Sequence, residues 1–392
     1  MDNTSKPSIE MLKAVVDPWI QALTDPAKAQ EIVLKRLLKG YSQTEYGRDH
    51  HAENVDSYKE FKKAFPVKNY TEVKPMIDQV KEGHIHVLLH EEPLYWGCTK
   101  GTTGKSKFFP LTSAYRDQCA IGIKRLFYKY ASFKNDVDWL GGYRLNLSST
   151  ALLGTLNMGG KEMPYGYSMA VGMDLVNKYA GLPQMTPTQE EINSIQGEST
   201  ANVWEARYQL IYEKTRDQNI THILTSYSIY LGFANYIYRK YKVYPKDLWN
   251  VKFMVGTGQP GSNTRFAPPI KTLYGKSVDI RDSYGGSEGY YGAQMDDKKA
   301  WAPFYDFNFY EVQTIQGIKQ LHEMIPGEIG SLIVSTDYLP RYHLDDLVLA
   351  FEPPYFRCIG RENAKLHPYY FGELTGKSDF TYSKPNTLDS WR

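Results

Sequence analysis

The sequence predicts an α/β protein, and three observations carry that reading. In the middle of the chain a buried-strand run, residues 221–226, leads into a helical stripe of Tyr230, Phe233, Ala234, Ile237 and Tyr241. Two further strand-like runs end in glycine turns: 251–256 passes into Thr257-Gly258-Gln259, and 278–283 passes into Tyr284-Gly285-Gly286-Ser287-Glu288. Towards the C-terminus, 327–336, 341–349 and 356–361 read as strands with no helix between them, which adds a small β-rich part. Ligands of open α/β sheets bind beyond the carboxyl ends of strands, so the two glycine-rich exits form a plausible floor for one site.

Taken in order, residues 8–24 and 25–41 read as two helices. Asp25 caps the second, Pro26 fits its first turn, Ile32, Val33, Leu37 and Leu38 make its stripe, and Gly40 closes it. Residues 61–78 read as a loop leading into a short helix. Residues 93–97 and 108–111 are apolar, aromatic runs and read as short strands. Thr112 or Ser113 can cap a helix carrying Cys119, Ile123, Leu126, Phe127 and Tyr130. Residues 145–173 are rich in Leu, Met, Gly and Ser and read as strand and loop, either lining a pocket or filling a core. Residues 188–216 read as two helices.

A chain of 392 residues can bury a large core, as one domain of several subdomains or as two domains. Its formal charge of +2 gives no global field to draw nucleic acid or an anionic membrane. No apolar run approaches bilayer length, and the N-terminus lacks the charged and apolar regions of a signal peptide. The three cysteines, Cys98, Cys119 and Cys358, are odd in number and lack metal-like spacing. Together these features point to a reducing cytoplasm. The 32 tyrosines read mostly as packing residues, and His222 and His322 as packing or surface residues.

Between the two short strands lies Thr99-Lys100-Gly101-Thr102-Thr103-Gly104-Lys105-Ser106-Lys107. Glycines let backbone approach an anion, successive N–H groups and hydroxyls donate to it, and lysine adds charge, so the composition suits a phosphate cradle. A P-loop needs glycine where Thr99 stands and a helix where Pro110 would break one. The plainer alternative is a hairpin turn with solvated lysines.

The loop resembles the Ser-Ser-Gly-Thr-Thr-Gly-x-Pro-Lys loop of the adenylate-forming superfamily, with Lys100 for a Ser and Ser106 for the Pro. Phe65-Pro66-Val67, Tyr70, Pro75 and Ile77 resemble the lead-in of one branch, the auxin-responsive acyl acid amido synthetases. Tyr284-Gly285-Gly286-Ser287-Glu288 followed by Gly289-Tyr290-Tyr291-Gly292 is similar to that branch's next motif. Arg341-Tyr342-His343-Leu344-Asp345-Asp346 is similar to its Arg-Tyr-Arg-x-Gly-Asp, with His343 for Arg and Asp345 for Gly. Gly360-Arg361 stands at its Gly-Arg strand end, and Gly372-Glu373-Leu374 follows in order. The resemblance covers most of residues 30–375.

The resemblance implies an adenylate-forming fold: a large domain of layered α/β subdomains plus a small β-rich subdomain, here residues 1–356. Residues 357–392 would be a short stub in place of the usual C-terminal lid domain. It implies ATP and Mg²⁺ as cofactors, with Thr102, Thr103, Lys107 and Glu288 catalytic and Glu288 and Thr103 holding the metal. Nucleotide would meet Thr99, Lys100, Gly101, Gly104, Thr257, Gly258, Gln259, Ser283, Tyr284, Gly285, Ser287, Asp346 and Arg361. An aromatic ring at 284 can stack on adenine, a hydroxyl can bond the α-phosphate, and a carboxylate suits Mg²⁺. The implied reaction is activation of a small carboxylic acid as its acyl-adenylate, then transfer to an amine. Open alternatives are a thioester ligase with a thiol acceptor, an acyltransferase that skips adenylation, and a binding module with a degenerate nucleotide site. A partner chain could supply a lid, with no nucleic acid and no membrane involved. Lys365 and Lys377 are further candidates near the site.

Overall fold

The computed structural model describes residues 8–99, 106–179, 184–197, 200–257 and 262–362. Its strands in chain order are β1 Tyr95–Cys98, β2 Phe108–Leu111, β3 Tyr143–Leu145, β4 Gly154–Met158, β5 Lys161–Tyr167, β6 Met185–Thr186, β7 Ile220–Ser226 and β8 Phe253–Thr257. There follow β9 Asp279–Gly285, β10 Tyr290–Ala293, β11 Ala302–Pro303, β12 Phe309–Thr314, β13 Gly317–Gln320, β14 Ile329–Ser335, β15 Tyr342–Ala350 and β16 Phe356–Arg361. They form three sheets, ordered β2-β1-β5-β4, β11-β10-β9-β8-β7-β3-β6 and β13-β12-β14-β15-β16. No helix among the described residues is long and apolar enough to cross a membrane.

The seven-stranded sheet is the α/β element that the strand–helix alternation predicts. Its run β9-β8-β7-β3-β6 is parallel. β7 and β8 are almost wholly buried, as strands inside a parallel sheet are. The register places Ser226, Thr257 and Ser283 side by side at three adjacent strand ends. The two glycine-rich exits therefore open at one edge, as the sequence suggests. The third sheet is wholly antiparallel, as its helix-free sequence requires.

Local chemistry fixes the helix starts. Asp25 accepts the Lys28 N–H at 3.1 Å and Pro26 opens the helix Pro26–Tyr41. That helix runs one residue past Gly40, whose open face packs near the His90 ring. Thr112, not Ser113, caps Ser113–Lys134, accepting the Tyr115 N–H at 3.2 Å.

Three expectations are corrected. Residues 61–78 hold two capped helices, Tyr58–Ala64 and Tyr70–Lys81, rather than a loop and a short helix. Reciprocal boxes, Ser57 with Glu60 and Asn69 with Glu72, secure both starts, and Pro75 is carried inside the second. The stretch 145–173 ends in helix, because Ser168–Tyr179 packs an apolar face of Ala170, Val171, Leu175 and Val176 inward. The boundary expected after residue 356 falls inside β16, which pairs with β15 from Ala350↔Phe356 to Asp346↔Arg361. The large unit therefore continues through Arg361.

Candidate active site

The site forms where the parallel strand ends meet β1 and the β15–β16 hairpin. A cavity of about 490 Å³ lies there. Its floor is Ser226, Thr257 and Ser283, with Gly285, Gly286 and Ser287 at one rim and Thr99 at another. The helices Ser113–Lys134 and Ser168–Tyr179 wall it with Tyr115, Cys119, Ile123, Met169, Met173 and Val176. Tyr290 fits against the first helix only because residue 122 is glycine: a Cβ there would sit 2.1 Å from the Tyr290 ring. Among the described residues the lining carries no Lys, Arg, Asp, Glu or His.

Of the loop expected to hold phosphate, Thr99 and Lys107 are described, while Lys100, Gly101, Thr102, Thr103, Gly104 and Lys105 lie outside the described residues. The neck is closed by reciprocal bonds. The Thr99 N–H donates to the Lys107 carbonyl at 2.9 Å, and the Lys107 N–H donates to Thr99 Oγ1 at 3.0 Å. The Lys107 ammonium sits 5.1 Å from the Tyr70 ring centroid. The Tyr70 hydroxyl in turn accepts the Phe108 N–H at 2.9 Å. The lead-in helix Tyr70–Lys81 thus braces the loop's exit strand.

Glu288 follows the rim residue Ser287 and lies near enough to Asp346 for their charges to interact. Burial raises the Glu288 carboxyl above its ordinary value; the charges of Lys107 and Arg361 oppose that shift, and Asp346 adds to it. The Tyr342 hydroxyl donates to Glu288 Oε1 at a long 3.4 Å. Asp346 is buried and likewise raised by burial, with Arg361 and the Tyr284 hydroxyl holding it down. Its Oδ1 pairs with Arg361 Nε at 2.9 Å and its Oδ2 accepts from the Tyr284 hydroxyl at 2.6 Å.

The departure at Asp345 has a structural answer. Its backbone is left-handed, φ 61°, the conformation that favours glycine and that Asp tolerates better than most residues. Its side chain turns out to His343 Nδ1 at 3.1 Å, which leaves Asp346 as the inward aspartate. His343 Nε2 faces Glu362 at 3.4 Å, so two carboxylates flank this imidazole.

Tyr284 is not free on both faces. The ring is buried: one face stacks on Trp301 at 4.6 Å and 6°, and the Tyr291 ring lies 5.3 Å away, tilted by 57°. Gly258 and Gln259 lie outside the described residues, as do Lys365, Gly372, Glu373, Leu374 and Lys377. Arg341, the first residue of its motif, is structural: it forks onto Glu311 at 2.9 Å and caps the carbonyls of Lys62 and Phe65. His222 is a packing residue. It is buried between Phe127 and Trp139, and burial drives its pKa well below the ordinary value. The thiols beside the cavity are inert at neutral pH, Cys98 being pushed up to about 11 and Cys119 to about 12 by burial.

Sequence reasoning missed Trp301, Tyr342 as a partner of Glu288, and the wall residue Val176, while Met169 and Met173 fall in the stretch read as lining a pocket or filling a core. Tyr342 sits inside a quoted motif, and the wall residues repeat at helical spacing, which was the available signal.

The fold and the site define the class: this chain has the fold of the adenylate-forming enzymes. A family model described as the GH3 family N-terminal domain matches residues 19–210. Among solved structures, the AtGH3.15 acyl acid amido synthetase in complex with 2,4-DB superposes with TM-score 0.74 at 16% identity, covering 91% of this chain and 72% of that one. A second GH3.15 acyl acid amido synthetase structure gives TM-score 0.68 at 16% identity, over 93% and 73%. An open conformation of 2-hydroxyisobutyryl-CoA ligase, in complex with 2-HIB-AMP and CoA, gives 0.57 at 15% identity, over 92% and 77%. No curated protein matches by sequence. The resemblance read from the motifs is thus borne out.

Proposed function

We propose that this chain activates a carboxylic acid with ATP as the acyl-adenylate and transfers the acyl group to an amine. The observation that carries the reading is the convergence of Lys107, Arg361 and Asp346 on Glu288, which adjoins a cavity whose described lining holds no charged side chain. In that reading a carboxylate oxygen of the acid attacks the α-phosphorus in line and pyrophosphate leaves. Asp346 accepts ribose hydroxyls, the Tyr284 ring lies against adenine, and Lys107 with the loop's hydroxyls steers the phosphates. The residues present suit a hard cation: Glu288 is an oxygen donor with one long hydrogen bond and a burial penalty that a cation would relieve. Glu288 with Thr103 would hold Mg²⁺, which supplies charge neutralisation when bound. Catalysis is positioning plus electrostatic stabilisation of the transferring phosphoryl group.

The lining also bears on the acid. Tyr115, Ile123, Met169, Met173 and Val176 present apolar surface with no charged group, which favours a single carboxylate on a neutral aliphatic or aromatic body. Three free thiols support the reducing cytoplasm. The Arg361 side chain is 60% exposed, which supports a lid, from further chain or from a partner, over this side.

Pyrophosphate–ATP exchange with Mg²⁺ across aryl, aliphatic, dicarboxylic and amino acids tests the reading. Exchange with neutral monocarboxylates is expected; silence with all acids despite ATP binding would overturn it. The second reading, transfer to a thiol, draws on the fold shared with a CoA ligase. Offering amines and thiols to the exchange-competent acid separates the two.

A further inference from the structure

Asp282 lies on β9 two residues before Tyr284, in a strand otherwise chosen for burial. Its carboxylate collects donors from four separate parts of the chain. Oδ1 accepts from the Tyr227 hydroxyl at 3.2 Å. Oδ2 accepts from Ser262 Oγ at 3.1 Å, from Trp301 Nε1 at 3.1 Å and from an Arg357 guanidinium N–H at 3.3 Å. The Asp282 and Arg357 side chains are each only 2% exposed. Arg357 also donates to Ser262 Oγ at 2.7 Å and to the Lys299 carbonyl at 2.9 Å, and its guanidinium lies 4.9 Å from the Trp301 ring centroid.

Each of these partners leads to the nucleotide side of the site. Ser262, five residues after the cavity-floor residue Thr257 in the sequence, opens a π-helical turn, Ser262–Phe266. Trp301 is the stacking support of Tyr284, whose hydroxyl holds Asp346. Arg357 stands four residues before Arg361 on β16, and Arg361 holds the other oxygen of Asp346. Tyr227 starts the helix Tyr227–Tyr241, and its ring fills the space a side chain at Gly256 would need. The cavity's apolar wall, formed by Ile123, Met169, Met173 and Val176, has no bond to this network.

A buried ion pair is a poor source of stability, because desolvation offsets its attraction. What it does well is fix one arrangement of the elements that meet there. Resting on the ATP-dependent reading above, we propose that Asp282, paired with Arg357, is a positioning residue for the nucleotide: it sets the Tyr284–Asp346 platform through Trp301. Its removal weakens ATP binding and leaves the acid pocket intact.

The test uses the full chain. Binding of a fluorescent ATP analogue is measured for the wild type, for Asp282→Asn and for Trp301→Phe, which keeps the stack and deletes one donor. Melting temperature and the two KM values of pyrophosphate exchange are recorded alongside. The expected result for Asp282→Asn is an ATP-analogue Kd and an ATP KM raised about tenfold or more, with the acid KM within about twofold. Trp301→Phe moves the same parameters in the same direction by less, and decides the matter if Asp282→Asn fails to fold. A purely structural role would lower the melting temperature and the active fraction while leaving both KM values where they were. That outcome, or an ATP-analogue Kd within about twofold of wild type for the folded variants, overturns the inference. A wild type that binds the analogue but exchanges no pyrophosphate with any acid would sink the ligase reading while leaving this one to be judged on binding alone.

Discussion

Two buried or half-buried glutamates, Glu311 and Glu288, are treated in opposite ways. Glu311 on β12 is saturated. Arg341 forks onto it at 2.9 Å through Nε and a terminal nitrogen, and the Tyr58 hydroxyl donates at 2.9 Å. The paired side chains are 4% and 1% exposed. Glu288 has one hydroxyl at 3.4 Å and a carboxyl that burial pushes up. A carboxylate that only holds a fold together is given all the donors it can accept. Glu288 receives fewer, which fits the proposed role of holding a cation.

The largest effect expected from breaking that contrast is at the saturated pair. Arg341→Met strands Glu311 and should cost about 3–5 kcal/mol in denaturant unfolding, because it leaves a buried charge uncompensated. Glu288→Gln should do the reverse. Exchange activity falls by about 10²–10³-fold, as when one stabilising group is lost, yet the melting temperature holds or rises. A carboxyl raised in the folded state destabilises the fold once pH passes its ordinary value, and the neutral isostere removes that cost. A lower melting temperature for Glu288→Gln would mean that Glu288 is structural like Glu311.

Smaller effects sharpen the picture at the cavity and at Asp346. Gly172 faces the Tyr115 hydroxyl, 3.4 Å from where a Cβ would stand. Gly172→Val should therefore cut kcat/KM for the bulkier acids by about 10–200-fold and spare the smaller ones. Equal losses for all acids would remove the wall from the acid site. Arg361→Met deletes the charge that holds Asp346 down, so the acidic limb of exchange should move up by about one pH unit. With an ionised Asp346 required, activity is present above that limb and lost as pH falls through it.

Much of the site was legible because its residues are contiguous in motifs whose chemistry is local. Tyr284 to Glu288, Asp346 and Arg361 could be singled out by type and order, and the structure brings them to one place. What their neighbours do was not legible. Tyr284 reads as a stacking ring in the sequence, but that it already stacks on Trp301 depends on a residue seventeen positions away, beyond β10. Arg341 looks like part of a ligand motif, and only the fold shows it spent on Glu311 and the end of a helix.

By itself the sequence determined most element types, the helix cap at Asp25, the glycine-rich strand exits and the order of the motifs. These follow from dihedral preferences and from periodicity within a few residues. Only the tertiary structure decided the strand order of the three sheets, the continuation of the large unit through Arg361, the inward turn of Asp346 rather than Asp345, and the assembly of Tyr227, Ser262, Trp301 and Arg357 around Asp282. Those depend on which distant groups can satisfy a buried charge at once, and no local pattern in the chain records that.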